Sequence, residues 1–385
     1  MARKKVLMTR FGGIGDSVML TGIAAYLADN GFYVRFCVPE KQVELFTNLT
    51  IFDKVEAIKR LPNLQNGREC LKVPHGYAML DKIKEDLHKK NWLIADFKHM
   101  IENNSMWGGY PYNQFHGYWT RTMNSNYQNW YDIAFSWINV DPTKVPAEYK
   151  RPFYAVEKEE ADFADSVLPD DFIAVNLSAS SLARAIYHQH TFVDELLKAG
   201  HNILHWNENH WEYRSHDGNY SKDIKVKSVR ESAALVSRSK LFVSTDSGLS
   251  HIAEALGVKQ LTIYTTVPAW TRMKYYRHST ALESGVHCSP CFVIGRFCPI
   301  IEHDVEANKK GLTERERQVL EMSDKKIPPE QAAMILNTSP EGLNLLFDTA
   351  LKKKEHLKNA EPECIKSITP ERLMKGVESC LHQSS

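Results

Sequence analysis

The chain has 385 residues, of which 43% are hydrophobic and 25% are charged, and its formal net charge is +1 at pH 7. This length predicts two domains of ordinary size, and the composition is typical of a soluble globular protein. The near-neutral charge gives no general attraction to nucleic acid or an anionic membrane, and no apolar run reaches the roughly 18 residues that span a bilayer. The first residues lack the pattern of a secretory signal, so we expect a cytoplasmic protein.

The first predicted element is a strand that runs into a glycine turn and a helix. Residues 5–10 predict the strand, residues 11–15 the turn and residues 16–30 the helix. Asp16 therefore stands at the tip of a strand-to-helix turn, where an open α/β sheet places its reactive groups. Its simpler interpretation is an N-cap that stabilises the helix by about 1 kcal/mol. The turn carries three glycines that allow a ligand to approach the backbone: Gly12, Gly13 and Gly15.

Alternating strands and helices continue through the first 150 residues and predict half of a doubly wound sheet. Between Trp107 and Trp137, eleven aromatic residues are interleaved with Gly, Asn and Gln. Such a stretch either stacks on the sugar or base of an acceptor or packs over the first sheet. The predicted strands are residues 33–38, 55–58 and 92–95, and residues 77–90 predict a helix.

A hinge with three prolines is predicted between residues 139 and 153, and a second α/β set follows. Parallel strands would bring their carboxyl ends, which carry hydroxyl side chains here, to one edge of the sheet. Arg184, beyond the first of these strand ends, either pairs with a phosphate or is a solvated surface arginine. The predicted strands are residues 172–177, 201–206, 241–243 and 260–264, with helices at 191–199 and 230–238. The hydroxyl-bearing candidates for donor binding are Ser178, Ser180, Ser247, Thr265 and Thr266.

The segment Ser244–Gly257 is the clearest indication of function. Here an apolar strand runs through small and acidic residues into a helix, which is how open α/β sheets build phosphate sites. Ser247 and Ser250 can cap that helix. His251 lies one turn along the helix, where its ring would point back toward the same phosphate site. The segment predicts a phosphorylated ligand, and a nucleotide in particular.

The glycine turn with Asp16, followed late in the chain by Asp246–Gly257, resembles the ADP-heptose:lipopolysaccharide heptosyltransferases, glycosyltransferase family 9. The resemblance covers roughly residues 4–300 and a C-terminal piece. It implies an α/β fold of the GT-B type, with two facing Rossmann-like domains, and an inverting transfer that needs no catalytic metal. By position, Asp16 matches the family's general base, whereas a lysine commonly stands at the position of Arg184. The family's donor-binding loop matches Asp246, Ser247, Gly248, Leu249 and His251.

Four parts are expected along the chain. Residues 1–150 form a Rossmann-like acceptor domain, and residues 151–305 form a Rossmann-like donor-nucleotide domain. Residues 306–360 form a small three-helix insertion, and residues 361–385 a C-terminal helix that returns to the core. The insertion resembles a LuxR-type helix-turn-helix in its first helix and its spacing, but it offers few basic residues where a recognition helix would contact DNA. It is either a helical insertion alone or a DNA-contacting module.

The cysteines give a second signal. Cys288, Cys291 and Cys298 follow a C-x₂-C-x₆-C spacing, and Cys364 is a candidate fourth ligand. Clustered cysteines in a reducing compartment favour a metal over disulfides, and four thiolates suit zinc or a single iron. Autotransporter heptosyltransferases, which resemble this family, carry iron in the matching region. The alternative is a set of reduced thiols in a turn.

The sequence thus predicts a glycosyltransferase that moves a sugar from a nucleotide donor, ADP-linked by resemblance, to lipopolysaccharide, a glycan or a protein. One alternative is a phage-type glycosyltransferase that acts on hydroxymethylated bases of DNA. The other is a non-catalytic regulatory protein that binds a nucleotide sugar or DNA.

Overall fold

The computed structural model describes most of two α/β halves and parts of the C-terminal region. Among the described helices, none combines the length and the apolar character that a bilayer crossing requires. The described residues are 3–10, 12–58, 85–97, 129–168, 171–179, 184–186, 188–207, 210–216, 221–286, 289, 318–319, 322, 329–336, 338–339, 341–348 and 362–382.

The first half contains a four-stranded parallel sheet. Its strands are β1 (Lys4–Thr9), β2 (Phe32–Pro39), β3 (Lys54–Ile58) and β4 (Leu93–Asp96), in the order β3-β2-β1-β4. Helix α1 (Ile14–Asp29) connects β1 to β2. The four predicted strands are therefore confirmed within one or two residues at each end.

The second half contains a seven-stranded sheet that is parallel except at one end. Its order is β11-β10-β9-β5-β6-β7-β8, in which β7 and β8 form antiparallel pairs and the other strands run parallel. The strands are β5 (Phe172–Asn176), β6 (Asn202–Asn207), β7 (His210–Arg214), β8 (Ser221–Ile224), β9 (Leu241–Thr245), β10 (Gln260–Tyr264) and β11 (Ser279–Glu283). Because β5, β9 and β10 are parallel neighbours, their carboxyl ends lie at one edge of the sheet, as predicted.

Short helices cover both sheets and link them. The segment between the halves contains two 3₁₀ turns, Pro142–Lys144 and Ala147–Tyr149, where the prolines predict a hinge. A third 3₁₀ helix, Glu40–Leu45, follows β2. The α-helices are α2 (Trp130–Trp137), α3 (Lys158–Val167), α4 (Gln189–Lys198), α5 (Val229–Ser237), α6 (Gly248–Ala255) and α7 (Trp270–Met273).

One hydrophobic core extends across the two halves. Helix α2 buries Trp130, Tyr131 and Phe135 in it, and the same cluster contains Ile252 and Tyr264 from the second half. For these three members of the aromatic stretch, packing on the first sheet is confirmed. The residues of that stretch before 129 lie outside the described part of the chain.

The C-terminal residues pack against the second sheet. Helices α9 (Glu363–Lys366) and α10 (Pro370–His382) contribute to the core that lies on that sheet, with Val377 fully buried. Thr369 Oγ1 accepts the Arg372 backbone N–H at 3.4 Å, which confirms the predicted cap of the last helix.

A small separate cluster forms within the predicted insertion. Helix α8 (Pro329–Ile335) and the helical residues 341–348 share it, with Ala332, Leu336 and Leu343 buried. Residues 306–317 and 349–360 lie outside the described part, so the LuxR-type arrangement and a contact with DNA stay predictions. The described strands of the two sheets fall within residues 1–150 and 151–305, and the domain boundaries themselves also stay predictions.

Candidate active site

Two strand-to-helix turns, one from each half, meet at a single cleft. Helix α1 follows β1, helix α6 follows β9, and the amino ends of both helices line the cleft. The cleft has a volume of about 490 Å³, which lies in the range of small-molecule sites. It is lined by Gly12, Gly13, Ile14, Gly15, Asp16, Arg184, Trp206, Val229, Ser232, Asp246, Ser247, Gly248, Leu249, His251 and Arg272.

The close approach of the two helix starts depends on glycine. A Cβ on Gly15 would lie 2.9 Å from Cδ2 of His251 and 3.5 Å from the Cα of Gly248. A Cβ on Gly248 would lie 3.0 Å from Cγ2 of Ile14. Distances this short exclude an ordinary side chain at either position without a shift of its neighbours. The partial positive charges of two helix amino ends are therefore concentrated in one cleft.

Asp16 lies in the first turn of α1, on the cleft wall formed by the first half. The helix begins at Ile14 with Gly13 as its N-cap, so the interpretation of Asp16 as an N-cap is wrong. Its Oδ2 instead forms an ion pair with Nη2 of Arg10 at a distance of 2.9 Å. The Asp16 side chain is 26% exposed, which leaves the carboxylate accessible from the cleft.

Arg10 fixes both the position and the charge of Asp16. Its guanidinium is buried, and Nη1 donates to the carbonyl oxygen of Phe97 at 2.7 Å. Burial alone would raise the pKa of Asp16, but the guanidinium of Arg10, with further contributions from Arg272 and His251, holds that pKa below its usual value. Asp16 is therefore ionised at neutral pH.

Gln42, in the 3₁₀ helix after β2, ties the glycine turn to α1. Its Nε2 donates to the carbonyl oxygen of Gly12 at 2.9 Å, and its Oε1 accepts the hydroxyl of Ser17 at 2.7 Å. These two hydrogen bonds hold the glycine turn against α1, and the glycines of the turn stay at the cleft surface.

The opposite wall is the turn between β9 and α6. Ser247 is the N-cap of α6, and Ser250 Oγ accepts the Ser247 backbone N–H at 3.3 Å, which confirms the predicted capping pair. Nη1 of Arg184 donates to the Asp246 carbonyl oxygen at 3.0 Å and lies 3.4 Å from its Oδ2. Arg184 therefore holds the turn through Asp246, and the interpretation of this arginine as a solvated surface residue is wrong.

His251 points back to the cleft, as its position one turn along the helix predicts. Nδ1 lies 2.7 Å from the hydroxyl of Tyr276, and Nε2 lies 3.6 Å from Oδ1 of Asp246. Burial, with the positive charges of Arg272 and Arg184, lowers the pKa of His251 to about 4 although Asp246 and Asp16 oppose the shift. The ring is neutral at pH 7, and it acts as a packed hydrogen-bonding group.

Three functional candidates escaped the sequence analysis: Trp206 and Arg272, which line the cleft, and Arg10, which is buried and pairs with Asp16. Each arginine lies in a stretch of mixed polar and apolar residues, where an arginine side chain is usually solvated. Only the burial of the two side chains in the folded chain identifies them. Trp206 is the penultimate residue of β6, near the edge of the sheet that carries the other site residues, and its place at the carboxyl end of a predicted strand was the signal that could have identified it.

The cleft brings together ten of the predicted site residues: Gly12, Gly13, Gly15, Asp16, Arg184, Asp246, Ser247, Gly248, Leu249 and His251. Three predicted donor-binding residues that the structure describes, Ser178, Thr265 and Thr266, do not line this cleft, and their role stays a prediction. Ser178 instead donates from Oγ to Oδ1 of Asn176 at 2.6 Å. Ser180 lies outside the described residues.

The predicted metal ligands are for the most part not described. Cys288, Cys291 and Cys298 lie outside the described residues. Cys364 lies in α9 and is buried in the core of the second sheet. The cysteine metal site stays a prediction.

Comparisons with known proteins bear on the family and the fold of the chain. Residues 138–299 match the family model of glycosyltransferase family 9 (heptosyltransferase). No curated protein matches the chain at a significant level. Among solved structures, a family 9 glycosyl transferase from Veillonella parvula is similar with a TM-score of 0.55 and 14% identity, over 99% of this chain and 98% of that chain.

Two less similar structures come from Escherichia coli. ADP-heptose LPS heptosyltransferase II gives a TM-score of 0.47 at 12% identity, over 78% of this chain and 98% of that chain. The iron-containing dodecameric glycosyltransferase TibC gives a TM-score of 0.45 at 12% identity, over 75% of this chain and 65% of that chain. The family match and the Veillonella structure confirm the predicted GT-B fold class. Residues 138–299 are similar to a family 9 domain, and the prediction of a glycosyltransferase is confirmed.

Proposed function

We propose that the protein is an inverting glycosyltransferase that moves a heptose or a related sugar from a nucleoside diphosphate donor to a hydroxyl of lipopolysaccharide, a glycan or a protein. The observation that carries this proposal is a single cleft in which an ionised carboxylate, Asp16, lies across from the amino end of α6. Transfer to a hydroxyl needs a base, and a diphosphate needs an anion-binding wall. The resemblance to ADP-heptose enzymes supports ADP as the nucleotide.

In the proposed reaction, the acceptor hydroxyl oxygen forms a bond with the anomeric carbon of the donor sugar. The bond between that carbon and the phosphate oxygen breaks, and the nucleoside diphosphate leaves with the electron pair. The oxygen attacks from the face opposite the leaving group, so the configuration inverts. Asp16 accepts the proton of the hydroxyl.

The ion pair with Arg10 has two effects on such a base. It keeps Asp16 ionised at neutral pH, so the carboxylate is ready to accept a proton. It also makes the carboxylate a weak base, because the same guanidinium stabilises the charged form. Proton transfer therefore follows bond formation, when the attacking oxygen has become acidic.

No catalytic metal ion takes part in the proposed reaction. The negative charge that develops on the leaving diphosphate is stabilised by the amino end of α6 and by cationic side chains of the cleft. A structural iron or zinc held by Cys288, Cys291, Cys298 and Cys364 is a separate proposal, which rests on the spacing of these cysteines.

The test is turnover of the Asp16→Asn variant over a panel of ADP-, UDP- and GDP-sugars. Once the wild-type donor is found, we expect this variant to bind ADP with the affinity of the wild type and to turn over about 100-fold more slowly or worse, the scale of general-base loss. Asp29→Asn is the matched control, because Asp29 is exposed at the other end of the same helix. Unchanged turnover of Asp16→Asn would refute the base assignment.

A further inference from the structure

Arg272 is a buried cation at the cleft that has no ion-pair partner within the described part of the chain. It belongs to α7 and is only 8% exposed, yet it lines the cleft. None of the described residues forms an ion pair or a side-chain hydrogen bond with its guanidinium. Burial of an unpaired charge is unfavourable by several kcal/mol, so such a group persists where a ligand of opposite charge binds.

The other charged groups of the cleft compensate one another. Asp16 is paired with Arg10 at 2.9 Å, and Asp246 is paired with Arg184 at 3.4 Å. His251 is neutral, because burial lowers its pKa to about 4. Among the described residues that line the cleft, Arg272 is therefore the cation without an ion-pair partner, although its charge also helps to keep Asp16 ionised. The amino end of α6 adds to its positive potential.

We propose that Arg272 binds the diphosphate of the donor and takes up the charge of the leaving nucleoside diphosphate. This inference rests on the proposed function, and it assigns to Arg272 a phosphate-binding role that was one of the two alternatives for Arg184. Nη1 of Arg184 is already engaged with the main chain and the carboxylate of Asp246, so Arg184 positions the turn between β9 and α6. Two helix amino ends and the guanidinium of Arg272 form a site for an anion with several oxygens.

The test compares binding of inorganic pyrophosphate, ADP and adenosine to the full chain by calorimetry. We expect Arg272→Gln to bind pyrophosphate and ADP about 10- to 100-fold more weakly than the wild type, the range for one charged hydrogen-bonding partner. Adenosine affinity stays unchanged, since adenosine lacks the diphosphate. Arg272→Lys recovers part of the loss. Arg277→Gln is the matched control, because Arg277 lies on the same segment with its side chain exposed.

A second measurement separates ligand binding from a structural role. Without ligand, Arg272→Gln should be at least as stable to urea as the wild type, because the substitution removes an unpaired buried charge. A residue that held the fold together would instead lower the unfolding midpoint, and that result would overturn the inference.

The remaining outcomes distinguish this inference from the proposed function. If Arg272→Gln binds pyrophosphate and ADP like the wild type, the inference is refuted while a transferase with another diphosphate cation stands. If the variant loses affinity for an anionic acceptor glycan only, Arg272 serves the acceptor and the inference is also refuted. If the wild type binds neither pyrophosphate nor any nucleoside diphosphate, both proposals are refuted.

Discussion

Replacement of Gly15 by alanine tests whether the two helix starts meet as described. Alanine in place of glycine within a helix normally stabilises the chain by up to about 1 kcal/mol, so the sign of the effect is informative. The added Cβ would lie 2.9 Å from Cδ2 of His251. The imidazole cannot swing aside, because it is buried and its Nδ1 is hydrogen-bonded to Tyr276. We therefore expect Gly15→Ala to lower the free energy of unfolding by about 1–3 kcal/mol, the usual penalty for overpacking.

The measurement is urea unfolding at 25 °C, together with ADP affinity, which should fall because the cleft walls are forced apart. Gly13→Ala is the control on the same turn. A Cβ on Gly13 meets no atom within 4 Å, and its φ of −67° suits any residue. Gly13→Ala should change the free energy of unfolding by no more than about 0.5 kcal/mol. If Gly15→Ala is as stable as Gly13→Ala and binds ADP normally, the contact between the helix starts is refuted.

Two further predictions concern pH and metal content. Burial lowers the pKa of His205 to about 4, with His190 and Arg214 adding to the shift, and that of His251 also to about 4. Because these values lie below the unfolded value of about 6.5, stability that is present above pH 6.5 is lost as the pH falls towards 4, by up to about 3 kcal/mol for each histidine. Urea unfolding between pH 7.5 and 4.5 checks this, and His205→Phe should show a smaller loss than the wild type; equal losses would contradict it. Elemental analysis of the purified chain should find about one iron or zinc per chain. The Cys291→Ser variant should contain less metal, because a tetrahedral thiolate site needs all four ligands. Equal metal content in both proteins would refute the site.

The sequence predicts the wholly buried strands and misses three strands at the two ends of the second sheet, β7, β8 and β11. Strand β10 is wholly buried, and its apolar run predicts its bounds, Gln260–Tyr264, without error. Strand β11 at the sheet edge alternates between half-buried and exposed residues, so it carries no apolar pattern. The β7–β8 hairpin is rich in charged and aromatic residues, and its pairing with β6 depends on contacts that no local pattern reveals.

The candidate site divides in the same way. Gly15 and the segment from Asp246 to His251 were identified because their chemistry is local, a turn that leads into a helix start. Arg10 and Arg272 were missed because their significance comes from burial against distant parts of the chain. Asp16 was found, but its partner was not, and the partner is what sets its charge.

The core that extends across both halves bears on how the chain unfolds. Ile252 and Tyr264 of the second half belong to the same buried cluster as Trp130 and Phe135 of helix α2. Arg230 adds a hydrogen bond between the two halves, since its Nη1 donates to Oδ1 of Asn48 at 2.9 Å. Neither half can lose its structure without exposing apolar surface of the other. The two sheets are therefore expected to melt in one cooperative transition, and a calorimetric scan should show a single endotherm for them.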